Sequence, residues 1–193
     1  IQLVFNINQG TRAKLKKINF IGDKKIKDKQ LLEIIASEEH KFWKFISNTV
    51  YLDQPRLDLD KRLLETYYKN LGFYNVKILE SFVELDNEGG FILTFNIDAG
   101  DIYYFNDVKL NLPDDYSNED FLKLIEYMNN LKGKVYSVDN FNKILSEIDT
   151  IASLKLYDFI DAKVDEQFLD DNKINFNFNV IKSNSYYVEK INI

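Results

Sequence analysis

The stretch GFILTFNIDAG, residues 90–100, sets Phe91, Leu93, Phe95 and Ile97 in alternation with Ile92, Thr94 and Asn96. Period-two alternation with one apolar face is the pattern of a strand half buried under a single covering layer. Nearly the same message opens the chain as IQLVFNINQG at 1–10. It returns as INFNFNVIKS at 174–183, where Ile174, Phe176, Phe178 and Val180 alternate with asparagines. With Phe5, Phe95 and Phe178 as equivalents, Ile18, Val108 and Ile191 each stand thirteen residues downstream in a second strand-like segment. The spacings of 90 and 83 residues exceed a solenoid repeat and fall short of a typical enzyme domain, so they predict small domains in tandem.

Each complete repeat places two helical segments and a hairpin between these strands. In the first, Lys27–Ala36 carries Leu31, Leu32, Ile34 and Ile35. A longer helix is predicted to begin at Asp53-Gln54-Pro55, where Asp or Gln can cap and Pro suits the first turn. Leu59, Leu63, Leu64, Tyr67, Tyr68 and Leu71 follow at helical spacing, and Gly72 supplies a left-handed stop. The second repeat copies this with Asn118–Asn130 and Ser137–Lys155, and Asp158 is read as standing in for Gly72. The hairpins are Tyr74–Leu85 with Gly90–Asp98, and Ile160–Phe168 with Lys173–Ile181. The order β-α-α-β-β predicts an α+β unit whose three-stranded mixed sheet runs β1-β3-β2, with both helices on one face.

Composition removes several classes of function. The chain has 193 residues, 45% of them hydrophobic and 29% charged, and no apolar run approaches the ~20 residues of a spanning helix. No signal peptide precedes the first strand pattern, so the sequence reads as a piece of a longer protein. With no cysteine and one histidine, disulfides and multi-cysteine or multi-histidine metal sites are excluded, and no cofactor is expected. Residues 1–100 carry a net +1 and residues 101–193 a net −7, which argues against nucleic acid as the main partner.

The tandem β-α-α-β-β unit resembles the POTRA domain, the periplasmic module of the outer-membrane assembly proteins of the Omp85 family. The stretch HKFWKFISNTVYLDQPRLDLDKRLLETYYKNLGFYNVKI, residues 40–78, carries an aromatic pair in a long loop before a helix ending in a YY-x3-G-[YF] pattern. The resemblance divides the chain into the end of a preceding domain (1–10), a third-like domain (11–100), a fourth-like domain (101–183) and the start of a following one (184–193). It implies a non-enzymatic scaffold in the periplasm of a Gram-negative bacterium, held to the membrane only through a β-barrel outside these residues. Implied partners are a BamB-like lipoprotein, other subunits of an assembly complex, and unfolded outer-membrane proteins. Within the family, a segment of a secretion or translocation pore is the alternative.

Candidate residues fall mainly on strand edges. The first β2 carries Val76, Ile78, Phe82, Val83 and Leu85 with charges only at Lys77, Glu80 and Glu84, whereas the second packs in Asp161, Lys163, Asp165 and Glu166. Charge on an edge discourages pairing, so the first edge reads as open and the second as blunted. An open edge can accept an extended segment by backbone hydrogen bonding. The resemblance assigns this strand to the lipoprotein contact, which falls on Val83 and Leu85. Val76 and Ile78 are out of phase with Val83 and Leu85, and a bulge between Leu79 and Phe82 would reconcile them. Phe42 and Trp43, with Phe45, could bind a partner from their loop, although a loop folding its own hydrophobes inward is the plainer reading. His40 has no nucleophile-and-base arrangement around it. Asp114/Asp115 and Asp170/Asp171 read as turns rather than the carboxylate pair of an enzyme or a calcium loop. The basic run from Arg12 to Lys29 holds eight Lys/Arg against two Asp, and is read as lysine protection of the β1 edge in preference to an anionic-lipid patch.

Overall fold

The computed structural model describes residues 14–40, 53–87, 89–157 and 160–182. They form strand β1 (Leu15–Asp23), helices α1 (Asp28–Ile34) and α2 (Gln54–Asn70), and strands β2 (Lys77–Leu85) and β3 (Phe91–Asp98). A second set follows with β4 (Tyr104–Asn111), α3 (Leu122–Asn129), α4 (Val138–Leu154), β5 (Ile160–Leu169) and β6 (Lys173–Lys182). The first sheet is ordered β1-β3-β2 and the second β4-β6-β5. In each, the last strand is central, parallel to the first and antiparallel to the second. This is the mixed α+β architecture the alternation predicts.

The described residues divide into two compact units, Val76–Ala99 with the residues up to Tyr67, and Tyr68–Asn75 with the residues from Gly100 on. In the first, Leu93, Phe95 and Ile97 of β3 are fully buried beside Leu15, Ile18 and Phe20 of β1, with Leu31, Leu57 and Leu64 from the helices. Phe20 and Phe95 stack at 5.6 Å. In the second, Ile174, Phe176, Phe178 and Val180 of β6 meet Phe105 and Val108 of β4, Leu124 and Met128 of α3, and Ile144 and Ile148 of α4. Side chains of these sizes, buried on one face of a central strand, contribute roughly 1.5–3 kcal/mol each.

The helix ends show what the sequence specified. Asp53 caps α2, its Oδ1 accepting from Arg56 N at 2.8 Å, so Pro55 stands in the first turn, where no intrahelical donor is lost. Ser137 caps α4, and its side chain accepts from Asn140 N. At the other end of α2, Gly72 N donates to Lys69 O and Phe73 N to Tyr68 O, the paired bonds of a left-handed stop, with Gly72 at φ +97°. In the second repeat the same two bonds run from Leu156 N to Ser153 O and from Tyr157 N to Ala152 O. Leu156, at φ +57°, therefore holds the position of Gly72. This corrects the reading of Asp158, which lies outside the described residues. The aromatic that follows the stop is Tyr157, stacked on Tyr116 at 3.9 Å.

Candidate interaction edge

Because β3 is central, β2 leaves one side of its backbone unpaired by any strand among the described residues. Its register has an irregularity between Ile78 and Glu80, overlapping the N-terminal end of the Leu79–Phe82 interval expected from the phase break. Beyond it the pairing is regular: Ser81 opposite Phe95, Val83 opposite Leu93 and Leu85 opposite Phe91 on the helix side. Ile78, opposite Ile97, joins this same side, so the extra residue does bring Ile78 into phase with Val83 and Leu85. The open side carries Glu80 opposite Asn96, Phe82 opposite Thr94 and Glu84 opposite Ile92.

The edge candidates are thus brought onto one segment but divided between its faces. Leu85 is 70% exposed, Leu79 52% and Phe82 39%, while Ile78 and Val83 are half-buried against the core. Val76 is a correction: it precedes the strand, is 7% exposed, and belongs to the core. The chain is still turning there, since Tyr74 N donates to Gly72 O, and strand geometry begins only at Lys77. Phe42 and Trp43 lie outside the described residues.

The second edge is built differently. Glu166, on the helix side of β5 opposite Phe176, accepts from the Tyr74 hydroxyl at 2.5 Å. Tyr74 packs at 4.8 Å from Tyr136 and 5.4 Å from Phe168 within the second unit. Burial and the bonded Glu166 carboxylate push the Tyr74 phenol well above its ordinary value. Burial, followed by the same carboxylate, does so for Tyr136. On the open side two amide rows cross the sheet. Asn111 Nδ2 donates to Asn179 Oδ1 at 2.7 Å, and Asn179 Nδ2 to Asp165 at 2.8 Å. Asn106 Nδ2 donates to Asn175 Oδ1 at 2.7 Å, and Asn175 Nδ2 to Gln167 at 3.1 Å. Two of the four charges expected to blunt this edge are therefore engaged within the domain.

Several of the remaining polar candidates have structural partners. Lys16 of β1 pairs with Asp86 at 2.5 Å, Lys24 with Asp28, and Lys25 with Asp23 at 2.9 Å. His40 N donates to Leu15 O, and its ring Nε2 lies 3.0 Å from Lys14 Nζ. Asp115 pairs with Lys182, and Asp171 and Asn172 both take positive φ in the β5–β6 turn. A groove of about 290 Å³ between α3 and α4 is lined by Asp120, Lys123, Tyr127, Lys143 and Glu147, with the Lys143 ammonium 4.4 Å from the Tyr127 ring centre. Among the described residues no group of three or more His, Asp or Glu is arranged to hold a metal. No helix among them is long and apolar enough to cross a membrane.

Asp60 is the polar residue that sequence reading missed. Fully buried on α2, it accepts from Ala36 N at 2.7 Å and Ser37 N at 3.1 Å through Oδ1. Its neighbours Asp58 and Lys61 look like a solvated helix face, and only the fold brings the end of α1 beneath it.

Comparison with known proteins agrees with this architecture. The POTRA family, described as surface antigen variable number repeat, matches residues 13–100. The outer membrane protein assembly factor BamA of Neorickettsia risticii is 22% identical across 100% of this chain and 26% of its own length. BamA of Neisseria meningitidis is 20% identical across 100% of this chain and 24% of its own length. The chain spans about a quarter of the length of these curated relatives. The crystal structure of the POTRA3–5 region of Haemophilus influenzae BamA superposes with a TM-score of 0.66 at 18% identity, covering 92% of this chain and 70% of that one. Two mixed sheets of matching strand order, the family match and the superposition lead to one conclusion: residues 13–100 are a POTRA domain, and the second unit repeats the same fold in tandem.

Proposed function

We propose that this chain is a periplasmic scaffold segment of an outer-membrane protein assembly factor. In this reading residues 11–100 and 101–183 are its third-like and fourth-like domains. The first domain's β2 edge binds a BamB-like lipoprotein and transiently holds unfolded barrel strands by strand addition. The observation that carries the reading is the contrast between edges. β2 ends in exposed Leu79, Phe82 and Leu85, whereas β5 is studded with Asp161, Lys163, Asp165 and Glu166. Backbone pairing supplies affinity, with exposed Phe82 on the open side and Leu85 on the helix side available to the added strand's side chains.

The experiment is a backbone-resonance titration of the chain with the lipoprotein and with strand-forming peptides. Shifts should concentrate on residues 79–85. Leu85→Glu should weaken binding at least roughly tenfold, by burying a charge against the partner. Asp165→Val, on the other edge, should leave affinity unchanged. Shifts confined to the helices, or normal binding by Leu85→Glu, would place the partner surface elsewhere.

A further inference from the structure

The open side of β2 has a charge pattern that the edge reading alone does not use. From Glu80 to Leu85 the strand is regular, and its outward row reads Glu80, Phe82, Glu84. The residues opposite these two carboxylates on β3 are Asn96 and Ile92, neither of them basic. All three outward side chains are exposed on an edge strand. A strand added to β2 would place its own residues directly beside them, at the ≈ 4.5–5.5 Å spacing of cross-strand neighbours. Lys77, the next charge along, lies beyond the irregularity at Ile78–Glu80, so it falls outside the regular register.

Resting on the strand-addition reading, we infer that this edge selects an extended segment of the pattern basic–x–apolar–x–basic, with the two bases against Glu80 and Glu84 and a β-branched or aromatic residue against Phe82. The intervening positions face the helix side, beside Ser81 and Val83, and take small or apolar residues. Because the pattern reads the same in both directions, parallel and antiparallel docking satisfy it equally. Opposite charges directly across a ladder are favourable and like charges unfavourable, so the two glutamates reject acidic strands as well as attract basic ones.

The test uses the whole chain and three labelled peptides whose cores read Lys-Val-Phe-Val-Lys-Val, Thr-Val-Phe-Val-Thr-Val and Glu-Val-Phe-Val-Glu-Val, measured by fluorescence anisotropy at low salt. Summed over two positions, the basic peptide should bind roughly tenfold tighter than the acidic one, with the neutral peptide between them. The gap should narrow as salt rises. The double variant Glu80→Lys/Glu84→Lys, checked for native circular dichroism, should invert the ranking. If all three peptides bind alike with shifts on β2, the charge selection is wrong and strand addition survives. If the neutral peptide does not bind, or its shifts fall away from β2, both readings fail. An unchanged ranking in the double variant overturns the selection as well.

Discussion

Replacing Leu156 by glycine should stabilise the second unit. Leu156 occupies the stop position after α4 at φ +57°, with 89% of its surface exposed. For a residue bearing a Cβ, the left-handed region costs about 1–2 kcal/mol, and glycine is relieved of it. Glycine returns about 0.4–1 kcal/mol of this through the greater freedom of the unfolded chain. So little of the side chain is buried that its loss costs almost nothing in transfer free energy. The bonds from Leu156 N to Ser153 O and from Tyr157 N to Ala152 O are backbone only and survive the change. The net gain is about 0.5–1 kcal/mol, or roughly 3–6 °C in the transition of a unit of this size, readable by calorimetry. The equivalent position in the first repeat supplies the opposite sign. Gly72→Ala sets a Cβ 2.5 Å from Val135 Cγ1 and 2.8 Å from Ile102 Cγ2 at φ +97°, and should cost more than about 1 kcal/mol. A loss of stability in Leu156→Gly would refute the reasoning, because it would mean that the backbone there is right-handed or that the leucine is covered.

Asp60→Ala removes the acceptor of two backbone donors and should destabilise the first unit by about 2–4 kcal/mol in urea titrations, whereas Asp60→Asn, which keeps an oxygen, should cost clearly less. Asn179→Ala cuts one amide row on both sides and should cost about 1–2 kcal/mol, read as faster hydrogen exchange along β5 and β6. The carboxyl of Asp120 is held below its ordinary range by hydrogen bonds from Lys155 and Tyr157. A lowered folded-state value contributes stability that is complete above the ordinary carboxylate value and disappears as pH falls through the lowered one. The end of α4 should therefore loosen below about pH 4, and Asp120→Asn should flatten that acid limb in a pH series of unfolding midpoints.

The topology was legible because it rests on a period that the chain cannot disguise. A central strand covered on one face must alternate, and Leu93, Phe95 and Ile97 do so as plainly as Ile174, Phe176 and Phe178. What failed was anything decided by a single residue's environment. Residue type points a left-handed stop to tolerant Asp158 and gives no such signal at Leu156. Phase reveals an irregularity in β2 but only to within a few residues, and the pairing puts it at Ile78–Glu80. The open-side asparagines were visible as a polar row, but their hydrogen bonds depend on which residue of β4 or β5 stands opposite. Among the edge candidates, Val76 looked like part of a strand because it is apolar and in step with Ile78. Its burial comes from the turn after Gly72, which periodicity does not see.

The bond from Asp60 to the end of α1 has a consequence for the order in which the chain takes shape. α1 has only seven residues, and Lys27 before it makes no side-chain cap, so the segment cannot persist as an isolated helix. Its terminal amides are satisfied by a carboxylate that lies 24 residues further along from Ala36. As the chain is made, residues 28–37 precede their acceptor, and Leu31 and Ile35 gain their full cover only when residue 60 and α2 are in place. For that interval the older part of the domain is a short apolar segment, and the arrival of one aspartate supplies the acceptor that fixes its end.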